Sequence, residues 1–266
     1  MQKQIKIQCP AKINLTLKIL NKRADGFHEI DSIMQTINLF DYLNIEVEKS
    51  SENEIFLSGN SNEIPYNEKN LVYKACELFL DCTNIGTYRI NVYIEKNIPV
   101  AAGLAGGSAD AAGMLYGLNK IFGEPLTREE LHKLCAKLGS DLNVCLDGGK
   151  LKTSGRGEVV EPMEFEEFNV SLIKPLGLGI SAKEAYTKFS EKNGLVCESR
   201  NKFVNDLEWA IIDDYKELQL IKNKYPKSVM SGSGSTYYGI DFEFGDIEGY
   251  WVKNSLKSIP NGVKEV

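Results

Sequence analysis

What this 266-residue chain lacks excludes several kinds of chemistry. It has only two histidines, His28 and His132, and its six cysteines form no C-x-x-C pair, so we expect no zinc site built from these residues. No apolar run approaches the roughly 20 residues that a membrane-spanning helix needs. The N-terminal stretch MQKQIKIQC lacks the continuous apolar core of a signal peptide. We therefore predict a cytoplasmic protein with reduced thiols.

An excess of positive charge is also missing. Lysine and arginine total 31 against 37 aspartates and glutamates, which gives a formal charge of −6. This balance argues against a nucleic acid or an anionic membrane as the main partner. It leaves room for a local basic pocket that binds a phosphorylated small molecule. The hydrophobic fraction of 42% is enough for a sizeable core.

Hydrophobic periodicity predicts strands and helices grouped in runs rather than in regular alternation, which favours an α+β fold. The predicted strands cover residues 4–8, 13–20, 43–48, 54–59, 88–96, 169–175 and 236–241, with a turn into a short strand over 139–146. The predicted helices follow Asn70, Gly107 and Thr127, and cover 182–192, 204–222 and a stretch near 247–257. The turn-rich segment 147–158 is the candidate boundary between domains at 1–155 and 156–266.

The most unusual stretch is PVAAGLAGGSAD, residues 99–110, which ends a predicted strand and opens a predicted helix. Glycines at 103, 106 and 107 let the backbone approach a ligand closely. The free N–H groups of a first helical turn attract an anion, and phosphate is the usual one. The alternative is a tight strand-to-helix turn packed on a neighbour, which would explain one or two of the glycines.

Two familiar phosphate loops do not fit this stretch. No lysine follows Gly107, as a P-loop requires, and the dinucleotide pattern G-x-G-x-x-G is absent from it. A weak relative of that pattern, Gly177-Leu-Gly-Ile-Ser-Ala182, follows a predicted strand but lacks the surrounding βαβ units.

The pattern P-x-x-x-G-L-x-G-G-S-A resembles the loop with which the GHMP kinases, such as galactokinase, homoserine kinase and mevalonate kinase, hold the phosphates of ATP. Further motifs resemble one branch of this superfamily, which phosphorylates the 2-hydroxyl of a cytidine diphosphate-linked methylerythritol in the non-mevalonate isoprenoid pathway. These motifs are Pro10-Ala-Lys-Ile-Asn-Leu-Thr-Leu17, Arg23-Ala-Asp-Gly-Phe-His28, Asn70-Leu-Val-Tyr-Lys-Ala75, Gly139-Ser-Asp-Leu-Asn-Val144, Gly155-Arg-Gly-Glu158, Asn205-Asp-Leu-Glu208 and Ser231-Gly-Ser-Gly-Ser235.

The resemblance implies a two-lobed α+β kinase with a ribosomal-S5-like N-terminal lobe, a ferredoxin-like C-terminal lobe and a site between them. It implies ATP as the phosphoryl donor, with Mg²⁺, and Ser108 as a hydroxyl on the magnesium side. The implied ATP site consists of Pro99, Val100, Ala101, Ala102, Gly103, Leu104, Ala105, Gly106, Gly107, Ser108 and Ala109. Lys96 is either a further phosphate contact or a charge at the end of a strand. The 231–235 turn is either a second loop that closes on the substrate or a flexible turn.

The resemblance also implies a catalytic pair, Lys12 and Asp141. Asp141 would orient or deprotonate the acceptor hydroxyl, and Lys12 would stabilise the charge beside it. Taken alone, a lysine in a strand is usually solvated and an aspartate after Gly-Ser is usually a turn cap. Asn14, in the same motif as Lys12, is implied to contact the substrate.

For the cytidine moiety, the resemblance implies that Phe27 stacks on the base, His28 bonds its polar edge and Tyr186 covers its other face. The alternative for Phe27 is a place in the core. Two other functions compete: a GHMP kinase for another small alcohol, such as homoserine or mevalonate, and a non-catalytic nucleotide-binding regulator. The D-G-F-H motif at 25–28 argues against the first, and the presence of both Lys12 and Asp141 argues against the second.

Overall fold

The computed structural model describes residues 3–192 and 198–266, and its first sheet is built on two long strands. These are β1 (Lys3–Lys22) and β2 (His28–Lys49), which pair antiparallel with register shifts that bend them. Two predicted strands, 4–8 and 13–20, are thus one continuous strand. The first half of β2 was not predicted, because four consecutive residues, 34–37, are buried and the alternation of a half-buried strand is lost there.

Four further strands widen this sheet on the side of β2 that faces away from β1. β3 (Glu54–Gly59) pairs in parallel with β4 (Tyr88–Glu95), and β4 pairs antiparallel with β2. β5 (Lys150–Ser154) pairs with β2, and β6 (Val159–Pro162) pairs with β5. Residues beyond 155 therefore take part in the first sheet, and the division at 155/156 stays a prediction.

Four helices pack against this sheet around one large hydrophobic core. They are α1 (Leu71–Thr83), α2 (Gly106–Ile121), α3 (Arg128–Leu138) and α4 (Leu142–Asp147). Asn70 caps α1 through a hydrogen bond from the Val72 N–H, and Thr127 and Glu130 form the predicted capping box of α3. The strand predicted within 139–146 is wrong: a short run that is buried on all sides, as in α4, has no periodicity that separates a helix from a strand.

The second sheet has the order β10-β7-β9-β8, antiparallel throughout, which is the strand order of a ferredoxin-like lobe. Its strands are β7 (Asn169–Pro175), β8 (Val229–Met230), β9 (Tyr237–Ile240) and β10 (Tyr250–Lys257). The two-lobed α+β fold is therefore confirmed. The last strand, β11 (Lys264–Glu265), returns to the first sheet and pairs with β1.

Helices α5 (Ala182–Lys192), α6 (Asp206–Ile211) and α7 (Lys216–Lys224) share a core with the second sheet. The single helix predicted over 204–222 is wrong, since a 3-10 turn at Ile212–Asp214 separates α6 from α7. The helix predicted near 247–257 is also wrong. A β-bulge between Lys253 and Leu256 in β10 breaks the alternation and gives its apolar residues a helix-like spacing.

Hydrogen bonds to backbone carbonyls join the two lobes. In the second lobe, Thr236 N–H donates to the Ala102 carbonyl, and the Tyr238 hydroxyl donates to the Asn14 carbonyl. These contacts leave an open cleft beside the glycine-rich loop. No helix among the described residues has both the length and the apolar character needed to cross a membrane.

Candidate active site

The cleft between the lobes has a volume of about 580 Å³. The glycine-rich loop forms one wall, the start of α4 and the start of α5 form others, and β1 forms the floor. Of the predicted site residues, it is lined by Lys12, Asn14, Lys96, Pro99, Val100, Ala101, Ala102, Gly103, Ala105, Gly106, Gly107, Ser108, Asp141 and Tyr186. Most of the predicted residues, widely separated in the chain, thus face one cavity.

The glycine-rich loop ends where α2 begins, so the first N–H groups of a 16-residue helix lie at the cleft. Gly107 lines the cleft, and a Cβ at this position would meet nothing within 4 Å. At Gly103 the opposite holds: its φ is +74°, and a Cβ would lie 2.0 Å from the Ser231 carbonyl oxygen. One glycine therefore keeps space open for a ligand, and the other lets a second loop approach.

Two predicted ATP-site residues turn away from the cleft. The side chains of Leu104 and Ala109 are buried in hydrophobic clusters, and only their backbone remains for any ligand contact. The Leu104 carbonyl already accepts a hydrogen bond from Lys12 N–H at 3.1 Å. A loop made of small residues needs such anchors, because it has few other side chains to bury.

The 231–235 turn packs directly on the glycine-rich loop. Ser231 Oγ donates to the Gly103 carbonyl at 2.9 Å, and Gly232 lines the cleft. Asn205 holds this turn from behind: its Nδ2 donates to the carbonyls of Met230 and Gly232 at 2.7 and 2.8 Å, while its Oδ1 caps α6. The two glycine-rich loops thus form one continuous surface of the cleft.

Lys12 and Asp141 lie together at this surface. The Lys12 Nζ is 3.4 Å from Asp141 Oδ2, and it donates to Asn14 Oδ1 at 2.7 Å and to the Gly103 carbonyl at 3.1 Å. The Lys12 side chain is only 3% exposed, so it is not a solvated strand residue. Asp141 stands at the start of α4 and makes no capping bond there. Its carboxylate remains open to the cleft.

Lys96 lies between two carboxylates, those of Asp41 and Asp110, and its Nζ is 2.8 Å from Asp110 Oδ2. Its side chain is buried, so it is not an exposed charge at a strand end. Burial, against the opposing effect of Lys96, raises the pKa of Asp110 to about 7, and the charge of Asp41 adds to the rise. Asp110 Oδ1 is buried and has no hydrogen-bond partner among the described residues. Whether Lys96 contacts a phosphate stays a prediction.

Of the three predicted base-binding residues, Tyr186 lines the cleft, whereas Phe27 and His28 are not among its lining residues. The ring of His28 stacks on Tyr186 with centroids 5.2 Å apart and planes 18° apart, and His28 Nε2 lies 3.1 Å from Ser190 Oγ. Burial, with a smaller effect of Lys22, lowers the pKa of His28 and keeps its ring neutral near pH 7. Phe27 is 50% exposed, so it is not a core aromatic. The Arg156 guanidinium lies 4.8 Å from its ring centroid.

Some residues that line the cleft, or that contact a lining residue, are not among the predicted site residues. Asp41 lies within a long buried strand, where only its burial among apolar neighbours could have marked it. Arg156 lines the cleft and belongs to the G-R-G-E motif, but the motif alone gave it no role. A further wall is formed by Ile64, Pro65, Lys69, Asn70 and Leu71. Asn70 was predicted only as the N-cap of α1.

The loop end suits a nucleotide-bound magnesium ion better than a metal held by protein alone. Among the described residues, no group of three or more His, Cys, Asp or Glu could hold a metal. Magnesium bound to a nucleotide needs only one or two protein ligands besides the phosphates. Ser108 lines the cleft, and the unpartnered Asp110 Oδ1 lies one helical turn or less away in sequence. These residues fit such an ion.

A glycine-rich loop at a helix start, facing a cleft closed by a ferredoxin-like lobe, is the arrangement of a GHMP kinase, and the family described as "GHMP kinases N terminal domain" matches residues 70–149. A 4-diphosphocytidyl-2-C-methyl-D-erythritol kinase of Caldanaerobacter subterraneus subsp. tengcongensis is 39% identical over 92% of this chain and 90% of its own. One of a Synechococcus species is 40% identical over 86% and 83%. The chain belongs to the 4-diphosphocytidyl-2-C-methyl-D-erythritol kinase family.

Solved structures agree with this assignment. The crystal structure of a 4-(cytidine 5'-diphospho)-2C-methyl-D-erythritol kinase is 25% identical, with a TM-score of 0.71 over 97% of this chain and 99% of its own. The mevalonate kinase of L. major, solved with R-mevalonate, has a TM-score of 0.69 at 13% identity over 98% of each chain. The similarity to mevalonate kinase, at this low identity, shows a shared fold and nothing more.

Proposed function

We propose that this chain transfers the γ-phosphoryl group of ATP to the 2-hydroxyl of 4-diphosphocytidyl-2-C-methyl-D-erythritol, in the non-mevalonate isoprenoid pathway. The observation that carries the proposal is the buried Lys12 Nζ, 3.4 Å from Asp141 at the junction of both glycine-rich loops. Kinases of this type need a cation and a carboxylate where the phosphoryl group meets the hydroxyl. The membership of the chain in the kinase family supports the same reaction.

The phosphates of ATP would lie against the backbone from Pro99 to Ser108. The first residues of α2 line the cleft there, and their N–H groups would bind phosphate oxygens. When bound, Mg²⁺ would neutralise part of the charge on the phosphates, and Ser108 and Asp110 are the residues that would hold it. The open space at Gly107 supports this location, because any side chain there would occupy the volume that a phosphate needs.

Asp141 would accept a hydrogen bond from the acceptor hydroxyl and aim its oxygen at the phosphoryl group. The transition state of phosphoryl transfer is loose, so it requires little deprotonation early on, and orientation is the main role that we assign to Asp141. Lys12 would stabilise charge on the transferred group. Its bonds to Asn14 and Gly103 hold its Nζ in one position before a substrate arrives.

Asn14 is predicted to contact the substrate, but both polar ends of its side-chain amide already bond other residues of the chain. Its Oδ1 accepts from Lys12, and its Nδ2 donates to Ser32 Oγ at 3.0 Å. We infer that Asn14 acts on the reaction mainly by holding Lys12. A direct hydrogen bond from the Asn14 amide to the substrate stays a prediction.

The cytidine moiety would bind beside the stacked rings of His28 and Tyr186, with Phe27 next to His28 in the chain. A neutral His28 ring carries one donor and one acceptor nitrogen, and with Nε2 at Ser190 Oγ, Nδ1 is the nitrogen that would bond the cytosine edge. The exposed ring of Phe27 offers a face for stacking. In this arrangement Tyr186 stacks on His28, so it supports the histidine ring as well as lining the cleft.

We also place the enzyme in the cytoplasm, where free thiols such as those of the five described cysteines stay reduced.

The test is transfer from ATP with three acceptors compared at equal concentration. These are 4-diphosphocytidyl-2-C-methyl-D-erythritol, mevalonate and homoserine. We expect ADP formation with the first acceptor alone, and a new phosphomonoester resonance in the ³¹P NMR spectrum of its product. Turnover of mevalonate or homoserine, with none of the cytidine compound, would assign the chain to another alcohol. Binding of ATP without transfer to any acceptor would instead favour a regulator.

A further inference from the structure

A second cleft, of about 500 Å³, lies on the opposite side of the glycine-rich loop from the active site. Residues 96–101 separate the two cavities, and Lys96 and Pro99–Ala101 line both. The other wall is the turn at 176–179 with the strand pair β7–β10 beneath it. This turn carries the Gly177-Leu-Gly179 motif that has no role in the proposed phosphoryl transfer.

Lys174 is the feature that distinguishes this cleft. The residue is 8% exposed, and within the described residues its Nζ donates one hydrogen bond, to the carbonyl of the adjacent Pro175 at 3.2 Å. It forms no ion pair with any residue in the described part of the chain. By contrast, Lys12 and Lys96, whose side chains are also buried, each have a carboxylate within 3.4 Å. A buried ammonium group without a counter-ion is unfavourable, so this position calls for an anion.

The surroundings of Lys174 are partly apolar. Trp251 is its directly paired neighbour across the β7–β10 ladder, so both side chains lie on the same face of the sheet and both line the cleft. Leu176, at the mouth, is 63% exposed. Asn97 and Ser61 add polar groups, and Glu63, the acid that acts on Lys174 electrostatically, lies exposed on the rim. Such a lining suits an organic ligand with one acidic group.

We propose that this cleft binds a small organic anion, with its acidic group on the Lys174 ammonium and its apolar part against Trp251 and Leu176. The site goes beyond the proposed kinase reaction and does not depend on it. It is nevertheless in contact with the reaction machinery. A Cβ at Gly179 would lie 3.0 Å from the Ala101 side chain, and Ser235 Oγ of the second glycine-rich loop donates to the Leu178 carbonyl at 2.6 Å.

The test uses phenyl phosphate as the probe and the fluorescence of Trp251 as the readout, with a saturating non-hydrolysable ATP analogue present to occupy the proposed ATP part of the active cleft. Phenol serves as the uncharged control ligand. The variants are Lys174→Met and Lys253→Met, the second removing the same charge from an exposed position on β10. A parallel titration of Trp251→Phe identifies the part of the signal that comes from Trp209, the only other tryptophan in the chain.

We expect saturable binding of phenyl phosphate to the wild type and to Lys253→Met, and binding at least tenfold weaker to Lys174→Met. Because the methionine removes a buried charge, the melting temperature of Lys174→Met should not fall. Phenol should bind at least tenfold more weakly than phenyl phosphate to the wild type. Equal affinity of Lys174→Met and the wild type, or no saturable Trp251 signal in the wild type, would overturn the proposal. A lower melting temperature with unchanged binding would make Lys174 a structural residue.

Discussion

Replacement of Gly107 by valine separates ligand binding from folding more cleanly than any other change in the loop. Gly107 occupies the first turn of α2, where its φ is not positive and a Cβ would meet no atom within 4 Å. A valine side chain can therefore be added without a clash. Valine costs a helix roughly 0.3–0.5 kcal/mol less than glycine, so the free energy of unfolding should stay constant or rise slightly.

The same side chain would occupy the volume in which we place a phosphate of ATP. A hydrogen bond from a backbone N–H to a charged oxygen contributes about 1.5–3 kcal/mol. Loss of one such bond corresponds to a decrease in affinity of roughly ten- to a hundredfold. Steric exclusion of the phosphate would add to this. Gly107→Ala, with a single methyl group, should give a smaller loss.

The assay pairs calorimetric titration of an ATP analogue with the melting temperature of each variant. Gly245→Val is the control, because Gly245 lies in an exposed segment of the second lobe outside the cleft. We expect wild-type melting temperatures throughout and weaker nucleotide binding only in the Gly107 series. A folded Gly107→Val protein with wild-type affinity would refute the proposed course of the phosphates along the loop.

Three further changes test other parts of the site. Asp141→Asn keeps the shape of the side chain and removes the charge beside Lys12. We expect kcat to fall roughly 10²–10⁴-fold with little change in KM. Turnover close to that of the wild type would show that Asp141 is only a turn residue. Phe27→Ala should weaken binding of a cytidine nucleotide by about ten- to a hundredfold, because roughly 1–3 kcal/mol of stacking is lost. ATP affinity should stay unchanged. The melting temperature should also stay unchanged, because the ring is half exposed. Parallel losses of stability and of both affinities would instead show that Phe27 is a packing residue. The pKa of Asp110 is raised from 3.8 to about 7, so between these pH values the folded state binds more protons than the unfolded state. The free energy of unfolding should therefore decrease as the pH rises from about 4 to 7. Asp110→Asn should flatten that part of the profile in urea denaturation measured at pH 4.5, 6 and 8, and an unchanged slope would contradict the assigned burial of its charge.

The structural features that depend only on residues adjacent in the chain could be predicted from the sequence. Asn70 and Thr127 cap helices because a cap uses only the next three residues, and the small residues of 99–110 bend into a loop at a helix start for equally local reasons. The ordered series of motifs from Pro10 to Ser235 was sufficient to indicate the kinase family, which the relatives confirm. Segments 139–146 and 247–257 were assigned wrongly, since burial on all sides in one and a bulge in the other disturb the periodicity.

The juxtaposition of distant side chains was decided by the tertiary structure. Asp41 meets Lys96 and Asp110 only because β2 pairs with β4 in one register, and α2 then packs on β2 and on its neighbour β1. The distance of 3.4 Å between Lys12 and Asp141 depends on how α4 docks on β1, and Lys174 acquires its cleft only when the second lobe closes against the glycine-rich loop. No pattern within a short window encodes these contacts, because their free energy comes from burial shared between elements that are far apart in the chain.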